Sequence, residues 1–179
     1  MADKGLAPAA EAAVGRALLE FARWLAIAGG VLFVGLAIMT VMSVLGRAFI
    51  WAGLDQIEGD FEIVEMGCAV AVFCFLPWCQ INRGNVTVDV FIAYLPKRGQ
   101  ITLSLLGNVA MAFAAVLIAQ RMWLGTVEKH GNGQETWILG MHVWWGYAAS
   151  MVGAALFAVI ALYTVWRSLN ELINGEEPV

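Results

Sequence analysis

Charge is scarce in this sequence: Asp, Glu, Lys and Arg make up 13% of 179 residues, against 61% hydrophobic, with a mean hydropathy of +0.76. So few charges cannot clothe a surface in water, which excludes a soluble globular domain and points to an integral membrane protein. Basic residues are the shorter of the two classes, ten against fourteen acidic for a net charge of -4, and no basic run stands out. Nucleic acid is thereby excluded as a partner. Histidine is limited to His130 and His142, and the sequence has no attachment motif for a c-type haem, no metal-ligand spacing, no P-loop and no Ser/His/Asp or Cys/His arrangement. No cofactor, no metal and no enzymatic activity are expected. The three cysteines, Cys68, Cys74 and Cys79, all fall in one apolar segment. A disulfide framework would link separate loops, so they read as reduced thiols. The N-terminus also lacks the pattern of a signal peptide, because its basic residues are interleaved with Asp3, Glu11 and Glu20 before a long apolar run. The first apolar segment is expected to stay in the mature chain.

Apolar runs, by contrast, are plentiful. Residues 24–46, 63–81, 101–119 and 137–166 carry little charge, and each reaches the roughly 17 to 25 residues that cross a bilayer core. The expected fold is an all-α integral membrane protein, with residues 1–23 as a cytoplasmic tail and interfacial helix and residues 24–179 as a domain of four transmembrane helices. In the first region Val14, Leu18, Phe21 and Leu25 recur at helical spacing among Arg16, Glu20 and Arg23. They predict either a short interfacial helix or a plain extension of the first span. Residues 48–61 read as a loop, and Pro77 is expected to bend the last turn of the second span. Ser104, Gly107, Asn108, Ala110 and Ala114 in the third span, and Gly146, Ala149, Ser150, Gly153 and Ala154 in the fourth, are small or polar positions suited to close helix contact. His130 is placed in a polar, Gly-rich loop after the third span.

Basic residues set a direction. Lys4, Arg16, Arg23, Arg83, Lys97, Arg98 and Arg167 fall on one side of the four spans, and Arg47, Arg121 and Lys129 on the other. The asymmetry predicts cytoplasmic N and C termini. Trp24, Trp78 and Trp166 at the inner ends, and Trp51, Trp123 and Trp137 at the outer ends, agree with that register.

Few residues are candidates for chemistry. Glu65 is the one carboxylate inside a span, about two turns from Glu58 and one from Glu62, and Arg47 closes the preceding antiparallel span at the same level. The expected arrangement is a structural ion pair of Arg47 with Glu62 or Glu65, with proton or ion coupling through Glu65 as the alternative. Asp55, Glu58 and Asp60 form an acidic loop on the outer side, either a solvated charge run or a docking surface for a basic partner. Beyond Gly84, Thr87 can cap a short helix with Asp89 in its first turn, and Phe91, Ile92 and Leu95 form its apolar face before Pro96 ends it. Such a helix would lie on the inner membrane surface.

The run from Glu65 through an apolar helix to Arg83 and Gly84, then Val88-Asp89 and Leu95-Pro96, resembles the small membrane subunit (DctQ-like) of tripartite ATP-independent periplasmic (TRAP) transporters. Its loop motif maps onto Arg83, Gly84, Asn85, Asp89, Leu95 and Pro96, with Asn85 where the family often has histidine. The resemblance implies a multi-pass protein of the bacterial inner membrane that pairs with membrane lipids and a larger permease subunit (DctM-like). It also implies a periplasmic solute-binding protein (DctP-like), a sodium gradient as driving force, and an organic anion of the C4-dicarboxylate or sialic acid type as cargo. Two readings from different classes remain: a scaffold that braces the larger subunit and helps dock the binding protein, or an autonomous small proton-coupled exporter built on Glu65. Apolar midplanes in spans one and four, and Asn108 as the main polar residue of span three, favour the scaffold.

Overall fold

The computed structural model describes residues 8–82 and 97–174. These residues form four long helices, α1 (Pro8–Ala48), α2 (Asp60–Ile81), α3 (Lys97–Asn132) and α4 (Trp144–Asn174), with a short 3₁₀ helix at Ile50–Ala52. All four are long and apolar enough to cross a membrane. The 41 residues of α1 extend roughly 60 Å at 1.5 Å per residue, about twice the hydrocarbon thickness of a bilayer.

Helix α1 is continuous through Arg23 and Trp24, so its first four turns are an extension of the span with no break between them. The other limits differ from the sequence expectation in two places. Helix α3 continues to Asn132, which puts Lys129 and His130 in its last turns and not in a loop. Residues 137–143, expected as the start of the fourth span, form a tight turn stapled by one antiparallel bridge between Glu135 and His142. Hydrophobicity misled there, because Trp137, Ile138 and Leu139 are apolar residues on an exposed turn, with Trp137 fully exposed. Helix α2 runs through the buried Pro77 to Ile81. The interfacial helix expected from Thr87 to Leu95 lies outside the described residues.

The helices stand in a row, in the spatial order α1, α2, α4, α3. Helix α2 packs on α1 and α4, α4 packs on α2 and α3, and α1 reaches α4 only lightly. That last contact includes a small apolar cluster of Ala22, Ile81 and Ile160, at the end of α2 remote from the turn and the middle of α4. A second cluster, Ala112, Ala115, Phe157 and Ala161, joins α3 to α4 with Leu76 of α2 at its edge. Burial follows position in the row: 39% of the apolar window of α4 is buried, against 11% for each of the edge helices α1 and α3.

Several polar residues in these helices are buried against one another. Gln80 Nε2 donates to Thr164 Oγ1 at 2.9 Å, whose hydroxyl donates to the Ala161 carbonyl at 2.8 Å, and Asn108 Nδ2 donates to Ser168 Oγ at 2.7 Å. Gln80, Thr164 and Ser168 are all at most 1% exposed. In a hydrocarbon surrounding, such pairs hold helices together because no water competes for them. A double-mutant cycle of Gln80→Leu and Thr164→Val, read by thermal denaturation in detergent, should give a coupling of about 1 kcal/mol. Additive losses would show that the two side chains act separately.

Candidate functional site

The chemistry of the chain collects at one end of the row, where α2 begins, α3 ends and α4 begins. Residues 134–143 fold into a compact hairpin: Val143 N donates to Gln134 O at 3.0 Å, Thr136 N to Met141 O at 2.8 Å, and Gly140 N to Thr136 O at 3.2 Å. The Thr136 hydroxyl accepts from Met141 N at 3.1 Å. At the tip, the N–H groups of Ile138 and Leu139 point away from the hairpin's own carbonyls and need an outside acceptor.

Glu62 supplies it. Its Oε1 accepts from Ile138 N at 2.8 Å and its Oε2 from Leu139 N at 3.0 Å, and the Trp137 N–H and Thr136 hydroxyl also face the carboxylate. The side chain is only 9% exposed. A carboxylate offers about four lone-pair sites in one plane, so one group can hold a whole turn of donors. Gly59 makes the close approach possible: it has φ +76° and its missing side chain leaves the space that Leu139 occupies. Among the described residues no ion pair joins Arg47 to Glu62 or Glu65, because Glu62 is taken by the hairpin. Asp60, at the start of α2, accepts from Ser43 Oγ at 2.5 Å.

The remaining candidates are scattered. Asp55 and Glu58 are exposed on the loop before α2, Asp55 Oδ1 accepting from Gln56 N at 2.7 Å, while Asp60 is half-buried against Ser43. Glu65 is exposed, without a hydrogen bond or ion pair to another described residue. Arg83, Gly84, Asn85, Asp89, Leu95 and Pro96 lie outside the described residues. The two histidines have separate settings. His142 Nδ1 is 3.4 Å from Glu135 Oε1 and its ring stacks on Trp145, while His130 sits edge-on to Trp144 with centroids 4.9 Å apart. The three cysteines are free thiols, Cys74 buried and Cys68 and Cys79 half-buried.

Beneath the hairpin, a half-open cleft of about 380 Å³ lies between α2, α3 and α4. Glu62, Glu65 and Lys129 line it toward the hairpin end of the helices, and Phe73 and Ser150 further along them. Lys129 and Ser150 were not legible as site residues, the first reading as a loop cation and the second as one member of a packing stripe. The hairpin itself had a signal, since Gly133 and Gly140 bracket a short apolar stretch as turn residues do. Among the described residues no group of His, Cys, Asp and Glu is arranged to hold a metal.

Four such helices, with polar pairs buried between them and apolar faces outward, define a multi-pass membrane protein. The family model for the DctQ component of tripartite ATP-independent periplasmic transporters matches residues 36–171, about three quarters of the chain, and the chain belongs to that family. Its members are components of transporters. No curated protein and no solved structure matches the chain.

Proposed function

We propose that this small permease component is a scaffold. It sits in the bacterial inner membrane with both termini cytoplasmic, pairs with a larger DctM-like permease subunit, and helps a periplasmic DctP-like binding protein dock. The assembly takes up an organic anion, of the C4-dicarboxylate or sialic acid type, driven by sodium. The observation that carries the scaffold reading is the row of helices, because a row encloses no path between its members. Gln80, Thr164, Asn108 and Ser168 are spent on one another and cannot replace a solute's hydration shell. The edge helices α1 and α3 keep broad apolar faces, including Val31, Val34 and Ile38 on α1 and Leu106 and Phe113 on α3, on which a neighbouring membrane subunit can pack. Exposed Asp55 and Glu58 support docking of a basic surface at the hairpin end.

The autonomous exporter on Glu65 predicts a different result in liposomes. Reconstituted alone, the chain should move no labelled organic anion and no protons under an imposed gradient, and anion uptake should require the larger subunit. Gradient-driven flux through the lone chain, abolished by Glu65→Gln, would overturn the scaffold reading.

A further inference from the structure

We propose that the cleft beneath the hairpin is a binding site for one zwitterionic aminophospholipid, its ammonium on Glu65, its phosphate on Lys129, and one acyl chain along Met66 and Phe73. The inference rests on membrane insertion and not on the scaffold role. Three features of the cleft lead to it.

The first is the pair of charges at its hairpin end. Glu65 has no partner among the described residues. Lys129 Nζ donates to Gln134 Oε1 at 2.6 Å, a neutral group that holds the ammonium in place and leaves its charge uncompensated. The two are not bonded to each other. An unpaired carboxylate about 8 Å into a span, at 1.5 Å per residue from Asp60, is costly beside hydrocarbon. A ligand with both charges neutralises both side chains. A purely anionic headgroup would meet Glu65 and Glu62, and a cationic side chain alone would leave Lys129 unmatched.

The second feature is Ser150. Its Oγ is buried, with the residue 1% exposed, and has no hydrogen-bond partner. Buried hydroxyls in membrane helices normally find an acceptor. An acyl ester carbonyl, which lies just below the phosphate in a diacyl lipid, is such an acceptor.

Shape is the third. The cleft follows α2 from Glu62 to Phe73, roughly 16 Å at 1.5 Å per residue, polar at the hairpin end and mostly apolar beyond it. Its volume of about 380 Å³ is within the range of small-molecule sites.

Native mass spectrometry of the full chain, released from vesicles of phosphatidylethanolamine, phosphatidylcholine and phosphatidylglycerol in equal parts, tests the proposal. One phosphatidylethanolamine should be retained in preference to the other two. Glu65→Gln should lower that retention about tenfold, the size of one charge-assisted contact, and leave phosphatidylglycerol unchanged. Glu65→Asp should restore part of it. Ala69→Trp, which fills the cleft and keeps both charged residues, should displace the lipid as well, so the result does not depend on one variant. Thermal denaturation of each variant checks that it is folded. Equal retention of the three lipids, indifference to Glu65→Gln, or loss of the lipid when the chain is isolated with its neighbouring subunits would overturn the proposal.

Discussion

Gly153→Val should split the protein between its two middle helices. A Cβ at this position would fall on the Phe73 carbonyl, a backbone atom of α2 that cannot rotate away as a side-chain tip can. Either the helices move apart or the seam that joins α1–α2 to α3–α4 opens. Overpacking a tight site costs about 1 to 3 kcal/mol and more where the backbone must shift, so a loss at or above the top of that range is expected. Thermal denaturation in detergent, with the yield of monodisperse protein, measures it. Gly30→Ala is the control, because nothing lies within 4 Å of the Cβ it would add. A loss for Gly153→Val no larger than for Gly30→Ala would contradict the observed approach of α2 and α4.

Replacing Glu62 by alanine should free the hairpin from the end of α2. The N–H groups of Ile138 and Leu139 would lose their acceptor, and the turn has no other carbonyl placed to receive them. Amide exchange at residues 137–139 should accelerate by roughly one to two orders of magnitude, with little change in the helices. Glu62→Gln keeps one acceptor oxygen and should fall between alanine and wild type. The same order is expected for protease cleavage within residues 134–143. Unchanged exchange in Glu62→Ala would mean that the hairpin is held by its own bonds. Docking of a binding protein at this end of the molecule, as in the function proposed above, should weaken in the same order.

The helices were largely legible because membrane spans are written in composition. A stretch such as Ile63 to Ile81 can satisfy its backbone in hydrocarbon only as a helix. The limits were less legible. Trp137, Ile138 and Leu139 look like the start of a span, and only the acceptor waiting at Glu62 makes a turn of them. Partners across the row were illegible for a related reason. Arg47 and Glu65 stand at matching depth by sequence, yet depth does not say which way a side chain points around its helix. Ser150 read as packing because serine is small, and its unpartnered hydroxyl is a property of its surroundings. The order of helices in space has no sequence signature at all, since four apolar helices close a bundle or stand in a row with the same composition.

That order bears on how the chain assembles. In a row of α1, α2, α4 and α3, the outer interfaces join helices adjacent in sequence, so each is an antiparallel hairpin that can form as its two segments enter the bilayer. Among the described residues the seam of α2 on α4 is the one extensive contact between distant parts of the chain, and it must wait until α4 has been inserted. Until then, the side chain of Gln80 and the groove opposite Gly153 face lipid. Insertion therefore yields two preformed halves and a single late joining step, and a chain arrested before α4 would leave α3 alone in the membrane with nothing to pack against.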